Sequence, residues 1–267
     1  GKLAAKWGLS GDVIIAGGGG DNASSAIGVG VVKGGDAFVS LGTSGVLFAA
    51  SDAYQPDAAS AVHTFCHALP DTWHQMGVIL AATDAMNWFS KVLNSSVQEM
   101  TNNLGEIKAP SDTLFLPYLG GERTPHNDSK IRASFINLDH NADRETMTRA
   151  VIEGVTFAFR DSFDALTSTG TDIKQLVAVG GGSKSEYWVQ AIATTLGLPI
   201  SIPVSGDYGG AFGAARLSMI AQGASKDEVA IPPKIKKIIE PVMPLHDEYL
   251  SALNSYRSAY KALKTLT

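Results

Sequence analysis

Ala37-Phe38-Val39-Ser40-Leu41-Gly42-Thr43-Ser44-Gly45-Val46-Leu47-Phe48-Ala49-Ala50 is the stretch that decides the fold. Two apolar runs rich in β-branched and aromatic residues flank a four-residue turn bounded by glycines, which predicts a β-hairpin. Upstream, Asp12-Val13-Ile14-Ile15-Ala16 is a short β-branched run that stops at Gly17-Gly18-Gly19-Gly20. It predicts a buried strand entering a tight loop. Small residues at helical spacing follow in Ala23-Ser24-Ser25-Ala26-Ile27-Gly28-Val29-Gly30, and Asp21-Asn22 offers capping side chains at the entrance. Strand, helix and hairpin in that order do not make a βαβ repeat, so the expected architecture is α/β with a mixed sheet flanked by helices.

Downstream the periods change repeatedly. Residues 78–93 carry a helical stripe that includes Met86, Phe89 and Leu93, and 95–112 are polar and read as caps or loops. Leu114-Phe115-Leu116-Pro117 leads into a charged, turn-rich stretch over 120–132, which predicts an ordered surface loop. Residues 143–166 form a long amphipathic pattern with Met147, Ala150, Val151, Gly154, Val155, Ala158 and Phe163 on the apolar side. A second strand-to-glycine unit comes next, Leu176-Val177-Ala178-Val179-Gly180-Gly181-Gly182-Ser183. Helices are predicted over 187–196, 209–221 and 247–266, with a short strand at 199–203.

Bulk properties bound the function. The 267 residues suffice for a full core, and a net charge of -5 supplies no basic field for a polyanion, which argues against nucleic acid. One cysteine, Cys66, forms no internal disulfide, and the apolar runs are too short and interrupted to cross a bilayer, so a cytoplasmic protein with no membrane partner is expected. The first residues, Gly1-Lys2-Leu3-Ala4-Ala5-Lys6-Trp7-Gly8, read as the tail of a helix without a starting Met, which predicts an excised piece of a longer chain.

Three glycine turns each close an apolar run. Such turns expose consecutive backbone N–H groups and let a phosphate approach without a Cβ clash. Asp21, directly after four glycines, can face a ligand on the loop, accept the proton of an attacking hydroxyl and orient its oxygen toward a γ-phosphate. On local sequence it serves equally as an N-cap, and Asn22 either caps or holds a substrate hydroxyl. Gly18-x-Gly20-x-x-Ala23 meets a loose dinucleotide fingerprint with Asp36 near the ribose spacing, but Asp36 precedes its strand and the following hairpin is no parallel crossover. A Walker A ending is absent from the sequence. His63, Cys66, His67 and His74 lack the second ligand pair of a metal site, so no protein-held metal is expected; Lys234, Lys236 and Lys237 read as a solvated face.

The order of these motifs resembles the FGGY carbohydrate kinases, and the resemblance runs through essentially the whole chain. It implies an actin-like, RNase H-like ATPase domain that binds ATP with Mg²⁺. In that likeness Asp21 is the catalytic base and, with Asn22, meets the sugar. Gly42, Thr43, Ser44 and Gly45 lie by the phosphates; Gly180, Gly181, Gly182, Ser183 and Ser185 sit near the nucleoside. The stretch from Phe135 through Glu153-Gly154 resembles the family signature. Thr64-Phe65-Cys66-His67-Ala68-Leu69-Pro70 and Gly121-Glu122-Arg123-Thr124-Pro125-His126-Asn127 resemble its ketopentose branch and imply D-xylulose as acceptor. Ribulose, gluconate or glycerol, and a non-catalytic regulatory module of the same fold, are the alternatives. The family's N-terminal, sugar-gripping domain has no counterpart in these 267 residues. Residues 1–267 are therefore expected to be the C-terminal domain, inactive alone and partnered by that missing domain, with a homodimer as a further expected association.

Overall fold

The computed structural model describes residues 1–10, 12–204 and 209–266. The hairpin forms as its sequence predicts. β1 (Asp36–Leu41) and β2 (Gly45–Ser51) run antiparallel, with Leu41 opposite Gly45. Side chains alternate across β1: Ala37, Val39 and Leu41 enter the larger core, and Phe38 enters a smaller one on the other face with Phe48. β4 (Trp73–Ile79) extends the sheet antiparallel to β2, and β3 (His63–Cys66) closes that edge. On the other flank β7 (Gln175–Val179) pairs parallel with β1, β8 (Ile200–Pro203) parallel with β7, and β9 (Ile235–Ile239) antiparallel with β8. Among the described residues these seven strands make one mixed sheet in the order β3-β4-β2-β1-β7-β8-β9.

Helices cover both faces. The larger core is built from α3 (Thr83–Leu93), α5 (Arg144–Ser168), α6 (Glu186–Leu196) and α9 (Met243–Leu263), with the ribbon β5 (Leu114–Leu116) and β6 (Ser134–Ile136) against α5. Gly154 permits that contact, because a Cβ there would lie 2.0 Å from the Phe115 carbonyl oxygen. The opposite face carries α2 (Asp21–Val29) and α7 (Gly210–Ala221). Their backbones nearly touch: a Cβ on Gly213 would stand 1.7 Å from the Ser24 carbonyl oxygen. Arg216 of α7 donates to the carbonyls of Ile27 and Gly28, capping the end of α2.

Several expectations are corrected. Residues 12–16 form no strand and pair with none of the described strands, and Ile15 is 94% exposed. The stripe over 78–93 divides at Ile79, where β4 ends and the chain turns into α3. Within the stretch read as caps or loops lies α4 (Val97–Asn102), started by a reciprocal capping box between Ser96 and Glu99. The lysine-rich segment contributes edge strand β9, on which Lys236 and Lys237 stay exposed, a composition that discourages edge pairing. α1 (Lys2–Trp7) buries none of its side chains. The loop over 120–132 is ordered as expected: the Tyr260 hydroxyl donates to Asp128 at 3.2 Å, and His126 stacks on the Tyr260 ring.

Candidate active site

The turn between β1 and β2 is shaped from behind by the start of α3. The amides of Ala82 and Asp84 donate to the Thr43 carbonyl at 2.9 and 3.2 Å, and the Thr83 amide donates to the Gly42 carbonyl at 2.9 Å. The Thr83 hydroxyl adds a bond to Gly42 O at 2.8 Å. A trans peptide points its N–H opposite its carbonyl, so these bonds turn the N–H groups of Thr43 and Ser44 away from α3, on the exposed side of the turn. Thr43 and Ser44 are exposed. Gly45 has another reason for being glycine: it is buried, and a Cβ would meet Ile79 and Phe159 at 2.5 and 2.6 Å.

The second turn lies directly beside the first, since β1 and β7 are parallel neighbours with Ser40 opposite Val179. A Cβ on Gly180 would approach Leu41 O at 2.8 Å and Gly42 N at 3.2 Å; on Gly182 it would meet Leu41 Cβ and Thr83 Cγ2. Gly181 faces open space. Residues Gly181–Lys184 wind as a 3-10 turn, the Ser183 hydroxyl folds inward onto Gly180 O at 2.7 Å, and Ser185 caps α6 by accepting from the Trp188 amide. Alongside runs a cavity of about 710 Å³ walled by Thr83, Met86, Asn87, Val97, Gln98, Thr101, Asn102, Gly181, Gly182, Ser185 and Tyr187. Its volume is in the range of small-molecule sites. The α4 wall escaped sequence reading, though the pattern Ser96-x-x-Glu99 announces that helix.

Asp21 is placed by other elements. It is the first residue of α2, whose N-cap is Gly20 with no side-chain cap bond, so Asp21 is not the cap. Its Oδ1 accepts from the Asn22 amide at 2.8 Å and from Asn22 Nδ2 at 3.2 Å; among the described residues Oδ2 carries no hydrogen bond. Gly210, which opens α7, sits against the Asp21 backbone, a Cβ there falling 3.4 Å from Asp21 O. A short connection joins Gly210 to the end of β8, which lies parallel beside β7. The starts of α2 and α7 therefore lie together at Asp21. The loop before Asp21 rests on Ala68, whose Cβ would be 3.1 Å from a Cβ on Gly19. His67 fixes this support: its Nε2 meets Val31 O at 3.1 Å and its Nδ1 accepts from the Leu69 amide at 3.3 Å.

The histidines do not gather round a metal. No group of three or more His, Cys, Asp or Glu side chains with metal-site geometry occurs among the described residues. His67 and His74 are buried beside Phe48; burial lowers His67 below its usual value and, with His67 close by, His74 to about 4. Asp36 accepts from the amides of Val32 and Lys33, a turn role that removes the dinucleotide reading.

An exposed carboxylate, two adjoining glycine turns and a cavity thus lie on one mixed sheet flanked by helices, the architecture of the actin-like ATPase fold. The chain belongs to the FGGY family of carbohydrate kinases, matching the model of that family's C-terminal domain over residues 37–222. Among curated relatives, the xylulose kinase of Escherichia coli is 40% identical over 236 residues, 88% of this chain and 49% of that protein. The xylulose kinase of Staphylococcus epidermidis is 37% identical over 100% of this chain and 55% of its own length. The chain thus spans about half the length of the curated relatives it matches. A crystal structure of a xyloylose kinase from Brucella ovis superposes over 100% of this chain and 55% of that one, with a TM-score of 0.95 and 57% identity. A gluconate kinase from Lactobacillus acidophilus, at 25% identity and a TM-score of 0.87, covers 98% of this chain and 54% of its own. Among the described residues no helix is long and apolar enough to cross a membrane.

Proposed function

We propose that this chain is the nucleotide-binding half of an ATP-dependent kinase that transfers the γ-phosphoryl group to a primary hydroxyl of a ketopentose, D-xylulose by the names its relatives carry. The observation that carries the reading is the contact between the turns over 42–45 and 180–183 on parallel neighbouring strands, beside a cavity of nucleoside size. In this reading the N–H groups of Thr43 and Ser44 receive phosphate oxygens, and the glycines at 180–182 let the nucleotide lie against the backbone. Asn87, Gln98, Thr101 and Asn102 offer polar groups to the base, while Ser183 acts through Gly180 and Ser185 through α6.

Asp21 is then the base. The acceptor hydroxyl oxygen forms its bond to the γ-phosphorus as the bond to the β,γ-bridging oxygen breaks, ADP leaves, and the hydroxyl proton passes to Asp21. Asn22 holds one carboxylate oxygen and leaves the other open to the sugar. The charge on the phosphates would be offset by Mg²⁺, a hard cation suited to oxygen ligands. In this reading the sugar-gripping surface is supplied from outside this chain, a reading supported by relatives about twice its length. A regulatory module that uses Asp21 only as a helix cap is disfavoured, since Gly20 occupies that place.

Calorimetric titration of the chain with ATP and with NAD separates the readings: saturable heat with ATP alone is expected. A two-half enzyme containing this domain is expected to phosphorylate D-xylulose in preference to ribulose, gluconate and glycerol. No ATP binding by either preparation would overturn the assignment.

A further inference from the structure

The motif Gly121-Glu122-Arg123-Thr124 lies outside the nucleotide cavity and takes no part in the chemistry above. Glu122 is nevertheless only 3% exposed. Its Oε1 accepts from the Leu80 amide at 2.9 Å and from the Arg123 amide at 2.7 Å. Leu80 follows the last residue of β4, and the amides of Ala82, Thr83 and Asp84, just beyond, are those that hold the carbonyls of Gly42 and Thr43. Thr83 also underlies Gly182. The loop bearing Glu122 is itself fixed. Thr124 bonds to both the amide and the carbonyl of Val78 at 3.0 Å, Glu122 and Asp128 exchange backbone bonds at 2.8 Å, and Tyr118 bridges His126 and Tyr256.

We propose that Glu122 is a positioning residue for nucleotide binding: by clamping the amide of Leu80 it fixes residues 80–84, and through them the outward N–H groups of Thr43 and Ser44. The clamp rests on the nucleotide reading for its purpose but not for its geometry. Burial pushes the Glu122 carboxyl up to about 8, with Asp161 of α5 adding to the rise and Arg123 opposing it. The amides of Arg123 and Leu80 oppose the rise by bonding to Oε1, while Oε2 has no partner among the described residues. An amide reproduces that acceptor; a leucine or a retracted aspartate does not.

The test compares hydrogen exchange and ATP affinity in Glu122→Gln, Glu122→Leu and Glu122→Asp. Glu122→Leu and Glu122→Asp are expected to speed exchange of the amides at 82–84 by about tenfold and to weaken ATP binding by about the same factor, the worth of one hydrogen bond. Amides of α9 are expected to exchange as in the parent, and Glu122→Gln to stay within about twofold of it throughout. Unchanged exchange at 82–84, or an increase spread evenly through α9, overturns the proposal. If Glu122→Leu does not fold, the contrast between Glu122→Asp and Glu122→Gln decides by the same measures. If the parent chain binds no ATP, the nucleotide reading fails, and exchange at 82–84 still decides the clamp.

Discussion

Gly180 and Leu41 meet backbone to backbone: a Cβ on Gly180 would lie 2.8 Å from the Leu41 carbonyl oxygen, at a residue whose φ is +87°. One glycine thus allows two strand ends, each carrying a turn, to sit side by side. Gly180→Ala is expected to cost about 1–3 kcal/mol of stability, the usual scale for strain of this kind, and to weaken ATP binding. Its neighbour supplies the contrast. Gly181 has open space where a Cβ would go, so Gly181→Ala is expected to change stability by less than about 0.5 kcal/mol yet still weaken ATP binding. Urea unfolding and calorimetry on the pair check this; equal ATP affinity in Gly181→Ala and the parent would remove that backbone from the ligand site.

Asp21→Asn in a two-half enzyme is expected to lower kcat by about 10²- to 10⁴-fold, the range of general base catalysis, with ATP affinity little changed. Steady-state kinetics with D-xylulose and ATP give the split. A rate equal to the parent's would leave Asp21 without its chemical role.

The near-contact of α2 and α7 predicts a local effect of Gly213→Ala. A methyl 1.7 Å from Ser24 O forces the helices apart, with an expected loss of about 1–3 kcal/mol, as for overpacking in a core. The urea midpoint reports it. An unshifted midpoint would contradict the tight crossing.

Stability is expected to fall as pH rises from about 6.5 to 8. Glu122 is raised from 4.5 to about 8 and Glu153 to about 7, each chiefly by burial, so above 4.5 the unfolded chain has lost protons that the fold keeps. The folded form loses ground until the folded pKa is reached. His74, His126 and His67 act in the opposite sense, since all three are lowered by burial first; they favour the fold as pH rises toward 6.5 and contribute no slope above it. Over the window from 6.5 to 8 Glu122 contributes at most about 2 kcal/mol of slope. Urea midpoints at the two ends measure it, and Glu122→Gln is expected to flatten the change; an equal slope in that variant would assign the effect elsewhere.

The hairpin was legible because its signal is local: β-branched and aromatic runs around a glycine-bounded turn need no distant partner to be recognised. The second glycine unit was legible for the same reason, and the site residues followed from resemblance to a family. What failed was whatever depends on neighbours. Val13-Ile14-Ile15 has the composition of a strand and finds no edge among the described residues. Gly45 reads as a turn residue and Gly154 as one member of an apolar stripe, and only packing shows that they make room for Phe159 and Phe115. Glu122 reads as a surface charge in a polar loop; its burial and its hold on Leu80 exist only once the loop folds back onto β4. α4 was missed for lack of an apolar stripe, although its capping pair was in plain view.

The bare run before the glycines has a bearing on chemistry as well as on fold. Val13, Ile14 and Ile15, with Asp12 alone as a flanking charge, are exposed and unpaired among the described residues, and such a β-branched segment invites self-association. Only a glycine loop separates it from Asp21. Whether Ile15 stays bare or is covered is therefore decided within six residues of the carboxylate along the chain.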